Sequence, residues 1–277
     1  VTTGSQPWEP KNYDGTFEGP MPLKRGLAKS KNMISIRILE AIGPPFAQQW
    51  VSRFGFEADK HPAFLTMALG AGPVTPLQMA SGYGVFANGG YLVAPRLIER
   101  ITDYRGRVLQ DSPTHKPDES MRVIDARNAY VMTDLLQEVT RSGTAAKAQG
   151  TLKRNDIYGK TGTTNDSLDA WFAGWHPSLV AVVWIGYDTP RKLGDRETGG
   201  GLALPVWIEY MQFALKSVPP LKGAVKAPEG LINVGGEWVY EEYAHGAGVT
   251  SLGLDAAPAP VAPTEDEKKS ILDLFKN

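Results

Sequence analysis

Residues Lys160-Thr161-Gly162-Thr163-Thr164 gather one cation and three hydroxyls around a glycine, a set suited to holding an anion or to assisting acyl transfer. The phosphate reading fails on spacing. A phosphate-cradling loop ending at Gly159-Lys160-Thr161 needs a glycine where Arg154 stands, and a helix directly after the lysine. Asn165-Asp166-Ser167 reads instead as a turn between strands. Acyl transfer needs a nucleophile, a base, a proton path to the leaving group and donors for an oxyanion. Ser30-Lys31-Asn32 is a second polar element, at the point where a helical face breaks, which turns a hydroxyl and an amide outward from an inter-helix loop.

These residues need elements to position them. Asp169 to Trp175 and Leu179 to Tyr187 read as strands, so the lysine lies on the first of three successive strands. A Lys-Thr-Gly triplet arises by accident in roughly one chain in twenty of this length, so those surroundings carry the argument. Helices fill the first half. Leu23, Leu27, Ile34, Ile36, Leu39 and Ile42 trace one helical face interrupted near Ser30 and ended by Gly43-Pro44-Pro45, and Phe46, Trp50, Val51 and Phe54 continue the pattern. Thr75-Pro76 opens a helix running through Phe86. Tyr91 to Leu109 reads as a hairpin around Tyr104-Arg105-Gly106. Asp125 caps a helix bearing Ala129, Met132, Leu136 and Val139, stopped by Ser142-Gly143. Leu204 to Leu215 reads as a helix covering the sheet, and the core closes at Val218-Pro219-Pro220, giving a domain over 1–218. Residues 219–277 form a Pro/Gly-rich tail, with a short hairpin at 230–240, a stiff linker at 256–263 and a terminal helical scrap at 271–275.

Composition narrows the function classes. The 277 residues carry 29 Lys plus Arg against 30 Asp plus Glu, a net charge of −1, so no broad field draws the chain to nucleic acid. With no cysteine, thiolate catalysis, disulfides and cysteine metal sites are absent. His61, His115, His176 and His245 lack ligand spacing and read as solvated or capping side chains, so no metal and no cofactor are expected. No apolar run is long enough to span a bilayer, and Val1-Thr2-Thr3-Gly4-Ser5 is neither a start nor a leader, so the chain reads as an excised piece.

Set in order, these stretches resemble the transpeptidase domain of class A, bifunctional penicillin-binding proteins. The likeness runs through Trp8 to Tyr13, Leu27 to Asn32, Ala68-Leu69-Gly70, Thr75 to Ala80, Phe86 to Gly90, Arg141 to Ala145, Lys160 to Asp166, Asp169 to Phe172, Gly199-Gly200 and Pro205-Val206-Trp207. Lys-Thr-Gly is the third signature of these serine acyl-transferases. The resemblance implies an α/β (α+β) fold, an antiparallel sheet flanked by helices, incomplete at its N-terminus. It implies that Ser30 relays a proton near the leaving nitrogen, with Lys160 facing it across the cleft, and that Asn32 hydrogen-bonds a peptide-like amide. Thr161 and Thr163 would bind the substrate carboxylate, Thr163 N–H would supply half the oxyanion hole, Gly162 would admit the ligand to the backbone, and Thr164 would complete the substrate-binding strand edge. The implied partners are peptidoglycan stem peptides and β-lactams, with cell-wall synthesis proteins beside them. The implied place is the periplasmic face of the inner membrane, with an anchor and a glycan-polymerising domain upstream.

One signature is missing: no serine in the chain is followed three positions later by lysine, so the Ser-x-x-Lys nucleophile and base are expected upstream of residue 1. The chain alone is then expected to be inactive, and the competing reading is a non-catalytic module that binds stem peptide or a partner. Without family context, Ser30 and Asn32 are a helix-ending turn capped by its own side chains, and Lys160 is a strand lysine that discourages edge pairing. Lys31 is expected to point to solvent. Asp169 and Trp171 read as architecture, and 197–201 as a tight approach to the following helix. Val180, Val182 and Trp184 are expected to lack cover.

Overall fold

The structure is a computed structural model describing residues 2–3, 6–112, 117–223 and 225–245, with side chains described from residue 8 onward. Strands β1 (Thr2–Thr3) and β2 (Gln6–Pro7) pair at the start. Helices α1 (Leu23–Ala28), α2 (Asn32–Ile42) and α3 (Pro44–Val51) follow. Gly43, at φ 87°, ends α2 in the left-handed region, and the prolines behind it open α3 instead of stopping helical structure. Helix α4 (Pro76–Ala87) starts from a reciprocal cap in which Thr75 and Gln78 each bond the other's backbone N–H, at 3.1 and 2.9 Å.

The expected long hairpin is short. Only β3 (Arg100–Thr102) and β4 (Val108–Asp111) pair, while Tyr91 bridges Arg122 instead. Pro95, which has no N–H to give a ladder, lies between Tyr91 and β3. Helix α5 (Ala126–Arg141) is capped by Asp125, and Ala129, Leu136 and Val139 on its apolar stripe are buried. Helix α6 (Ala146–Leu152) leads to the sheet.

That sheet has β5 (Tyr158–Thr163), β6 (Ala170–His176) and β7 (Leu179–Ile185) in order, all antiparallel. Register puts Lys160 opposite Ala173, and Ala173 opposite Val182. Alternation then assigns the faces. Tyr158, Lys160, Trp175, Val180, Val182 and Trp184 share one face, where Trp175 stacks on Tyr158 and meets Tyr83 and Phe86 of α4. On the other face Phe172 packs edge-on to Trp207 of α7 (Leu204–Ala214) at 4.9 Å. Helices thus cover both sides of the core. All seven residues of β7, the outer strand, are only half-buried, Val180, Val182 and Trp184 included. Trp184 is fixed by its indole N–H, which donates to Asp169 Oδ1 at 2.8 Å, and lies beside Trp171.

His176 departs from the expectation of a solvated or capping side chain only in its first part: it is not solvated, and its Nδ1 accepts from Ser178 N–H at 3.2 Å in the turn after β6. It is 3% exposed, and Arg154 and Asp156, at 6% and 2%, are enclosed with it. Arg154 donates to both Asp156 oxygens at 2.7 and 2.9 Å and to the Val218 carbonyl, and Leu221 N–H donates to Asp156 Oδ2. Burial alone would raise Asp156's pKa, but the Arg154 bonds carry it below its ordinary value; burial lowers His176. This cluster clasps the chain leaving α7. Strands β8 (Leu231–Val234) and β9 (Glu237–Tyr240) then form the expected hairpin, docked on α5 through Trp238 against Tyr130 and Glu242 against Arg127. The linker and terminal scrap expected at 256–263 and 271–275 lie outside the described residues, as does His115.

Candidate active site

Ser30 stands where α1 and α2 part, at φ 54°, a left-handed backbone that breaks the helical run. Its N–H is held by the Leu27 carbonyl, and Lys31 N–H by that of Gly26. A Cβ at Gly26 would lie 2.3 Å from Ile34 Cδ1, so a larger residue there would have to push the Ile34 side chain aside where α1 meets α2. The exposed side of this hinge is therefore a fixed platform for one hydroxyl.

Lys160 reaches it from β5. Its Nζ donates to Ser30 Oγ at 2.7 Å across a separation of 130 residues, and to the Thr161 carbonyl at 3.0 Å. Both partners are neutral oxygens. Burial without a carboxylate beside it brings Lys160's pKa down from 10.5 to about 8. The result is a cation short of solvation, able to exchange a proton with a hydroxyl and ready to be stabilised by an anion.

The remaining residues of the triplet region divide along the edge strand. Thr161 Oγ1 shares a 2.7 Å hydrogen bond with Thr144 Oγ1, while Thr163 Oγ1 accepts from Gly199 N–H at 3.0 Å. Thr164 Oγ1 accepts from Asp169 N–H at 2.7 Å and so is engaged in the turn to β6. Gly199 explains why 197–201 is glycine-rich: a Cβ on it would stand 2.4 Å from the Gly162 carbonyl oxygen and 2.3 Å from that of Trp171. The tight approach is thus to β5 and β6, rather than to the helix that follows. Gly162 itself faces Trp171 Cβ, with 3.2 Å left for a side chain.

Asn32, the first residue of α2, donates from Nδ2 to the Lys11 carbonyl at 2.8 Å. Lys31 overturns its expected exposure: its side chain is 4% exposed, with Nζ 2.6 Å from Asp14 Oδ2, 3.0 Å from Glu18 Oε1 and 3.1 Å from Thr16 Oγ1. The loop at 11–18 folds over it, and Glu18 takes Lys29 and Arg25 as well. Lys31 holds Asp14 down to about 2, and Lys29, then Lys31, does the same for Glu18. Ser30 is therefore bracketed by lysines tied to one loop. Helical periodicity marks only the apolar face, so nothing local to Lys31 announced those partners.

Thr144 was the other residue without an assigned role. The turn at 141–145 was legible as a helix stop, yet it joins the halves of the site: Thr144 N–H donates to the Ala28 carbonyl at 3.0 Å, and Gly143, whose Cβ would lie 2.2 Å from that oxygen, permits the contact. Among the described residues no group of three or more His, Cys, Asp or Glu could hold a metal ion, and no helix is long and apolar enough to cross a membrane.

Comparison with known proteins shows the family of the chain. The family model described as "Penicillin binding protein transpeptidase domain" matches residues 1–211. Penicillin-binding protein 1A of Neisseria flavescens is 48% identical over 267 residues, covering 95% of this chain and 33% of that protein. Its counterpart in Pseudomonas aeruginosa is 41% identical over 273 residues, covering 82% of this chain and 33% of that protein. The chain thus spans about a third of the length of these relatives. The crystal structure of penicillin-binding protein 1A from Haemophilus influenzae superposes with a TM-score of 0.78 at 35% identity, over 84% of this chain and 40% of that one. With the family model covering residues 1–211 and these relatives, the chain belongs to the transpeptidase domain family of the class A penicillin-binding proteins.

Proposed function

We propose that this chain is the C-terminal portion of a peptidoglycan D,D-transpeptidase, in which residues 1–218 belong to the catalytic domain and residues 219–277 form a tail. The full-length protein cross-links stem peptides through a serine acyl-enzyme and is acylated by β-lactams at the same serine, supplied by a Ser-x-x-Lys element outside these residues. It works at the periplasmic face of the inner membrane, anchored by an upstream segment, among other cell-wall synthesis proteins. The observation that carries this reading is the pairing of Lys160 Nζ with Ser30 Oγ at 2.7 Å beside β5, whose outer edge pairs with no strand among the described residues.

Each residue then has a task. The edge of β5 offers N–H and C=O groups to an extended stem peptide. The Lys160 ammonium and the Thr161 and Thr163 hydroxyls take the terminal carboxylate, and Thr163 N–H gives half the oxyanion hole. Asn32, whose Nδ2 donates to the Lys11 carbonyl, accepts with its amide oxygen from the donor peptide's amide N–H. Ser30 passes a proton towards the leaving nitrogen, with Lys160 fixing the direction of its hydroxyl.

The test is acylation by a fluorescent penicillin. The full-length protein should label at an upstream serine, and the 277-residue chain should gain no penicilloyl mass. Lys160→Ala should lower the second-order rate by on the order of 10²–10³, while Lys147→Ala, at an exposed lysine of α6, stays within about threefold. A full-length protein that never labels supports the non-catalytic module instead. Equal losses in the two variants would show that the cleft lies elsewhere.

A further inference from the structure

The turn between α5 and α6 brings one more hydroxyl to the site. Thr144 is exposed, its Oγ1 lies 2.7 Å from Thr161 Oγ1, and its backbone position is fixed because its N–H donates to the Ala28 carbonyl at 3.0 Å. The neighbouring amides are also satisfied, Gly143 N–H by Glu138 and Ala145 N–H by Val139. The hydroxyl is therefore presented by a rigid turn seated on the carbonyl of Ala28, the last residue of α1, with no part in capping that turn.

We propose that Thr144 is a positioning residue for recognition of the substrate's carboxylate, acting through Thr161; the inference rests on the reading that Thr161 binds that group. A threonine hydroxyl has one proton to donate and lone pairs to accept with. When Thr144 O–H donates to Thr161 Oγ1, the Thr161 proton is left to point at an anion, and each bond of the chain Thr144 to Thr161 to carboxylate polarises the next. With Thr144 absent, the Thr161 hydroxyl becomes a free rotor that must be ordered on binding. Thr144 thereby deepens selectivity for substrates carrying a free carboxylate, without touching the substrate itself.

The experiment measures second-order acylation of the full-length protein by benzylpenicillin and by its methyl ester, in the wild type, Thr144→Val, Thr144→Ser, Thr161→Val and the double valine variant. Thermal melts accompany each, and the near-isosteric replacement of an exposed hydroxyl should leave them unchanged. The expected result is that Thr144→Val narrows the preference for acid over ester by about three- to tenfold, the worth of one net hydrogen bond. Thr144→Ser should restore it, and the double variant should be no worse than Thr161→Val alone. Equal loss of both rates in Thr144→Val, or an unchanged preference in Thr144→Val where Thr161→Val loses it, overturns the relay while leaving the carboxylate reading intact. An unchanged preference in Thr161→Val overturns the carboxylate reading and the relay with it.

Discussion

Lys160→Met should stabilise this chain at neutral pH even as it removes the site's cation. Burial holds the Lys160 pKa at about 8 against an ordinary 10.5, and at about 1.4 kcal/mol per pH unit the ammonium is disfavoured in the folded state by about 3 kcal/mol. The folded pKa lies below the unfolded one. Between these values the unfolded chain holds a proton that the folded chain has released, so wild-type stability rises with pH across that window; below about 8 the full penalty applies. Methionine has similar length and no charge, but it gives up the bonds to Ser30 Oγ and the Thr161 carbonyl, worth about 1 kcal/mol each. The variant should therefore be more stable than wild type by about 1 kcal/mol at pH 7 and less stable by about 2 kcal/mol near pH 10.5, a swing of about 3 kcal/mol. Urea unfolding of both proteins at a series of pH values and fixed ionic strength measures it, since every other titrating group cancels in the difference. A variant less stable at pH 7, with a difference flat in pH, would refute the argument by showing that Lys160 is solvated or paired.

Three further outcomes follow from the enclosed side chains. Asp156→Ala should cost about 3–5 kcal/mol in urea unfolding, because Arg154 would stay enclosed without its carboxylate and the Leu221 N–H would lose its acceptor; a loss under about 1 kcal/mol would mean the cluster is open to water. Lys31→Ala should release the loop at 11–18, read as faster amide exchange there, and lower acylation of the full-length protein more than Lys147→Ala does. In the wild type the same loop should loosen only in acid. Asp14 and Glu18 have folded pKa values near 2, below the ordinary 3.8 and 4.5, so their contribution is present above the ordinary values and is lost as pH falls towards about 2. Loop exchange unchanged by Lys31→Ala, or by acid down to that range, would show that the ion pairs do not hold the loop.

What was legible in the sequence was local. The cap at Thr75 and Gln78 is written in residues three apart, the β6 and β7 strands in unbroken apolar runs, and the α1–α2 break in an interrupted helical face. Lys160 could be placed opposite Ser30 because the order of two short elements matched a family pattern, although 130 residues separate them. Polar burial was not legible. Lys31 resembles any surface lysine until the loop at 11–18 folds back on it, and His176 ends β6 at the end of the sheet where Arg154 and Asp156 lead into β5. Whether such a group is solvated depends on which distant backbone arrives above it, and neither periodicity nor composition encodes that. The strand edge before β3 failed for a simpler reason: apolar residues at 91–98 suggest a strand, but Pro95 and the bridge from Tyr91 to Arg122 direct the chain elsewhere.

The site is divided between two structures that share few covalent constraints, the α1–α2 hinge and the β5 edge, and a proton or carboxylate contact between them tolerates little drift. Three attachments limit that drift from different directions. Lys160 spans the gap directly; Thr144, seated on the Ala28 carbonyl, meets Thr161; and the loop at 11–18 braces the hinge through Lys31. Only the first carries a charge that the proposed reaction would use. The other two can thus be weakened without altering the reacting groups, which makes them the places where selectivity and rate separate: loosening Thr144 acts on one hydroxyl, whereas loosening Lys31 moves the backbone that presents Ser30.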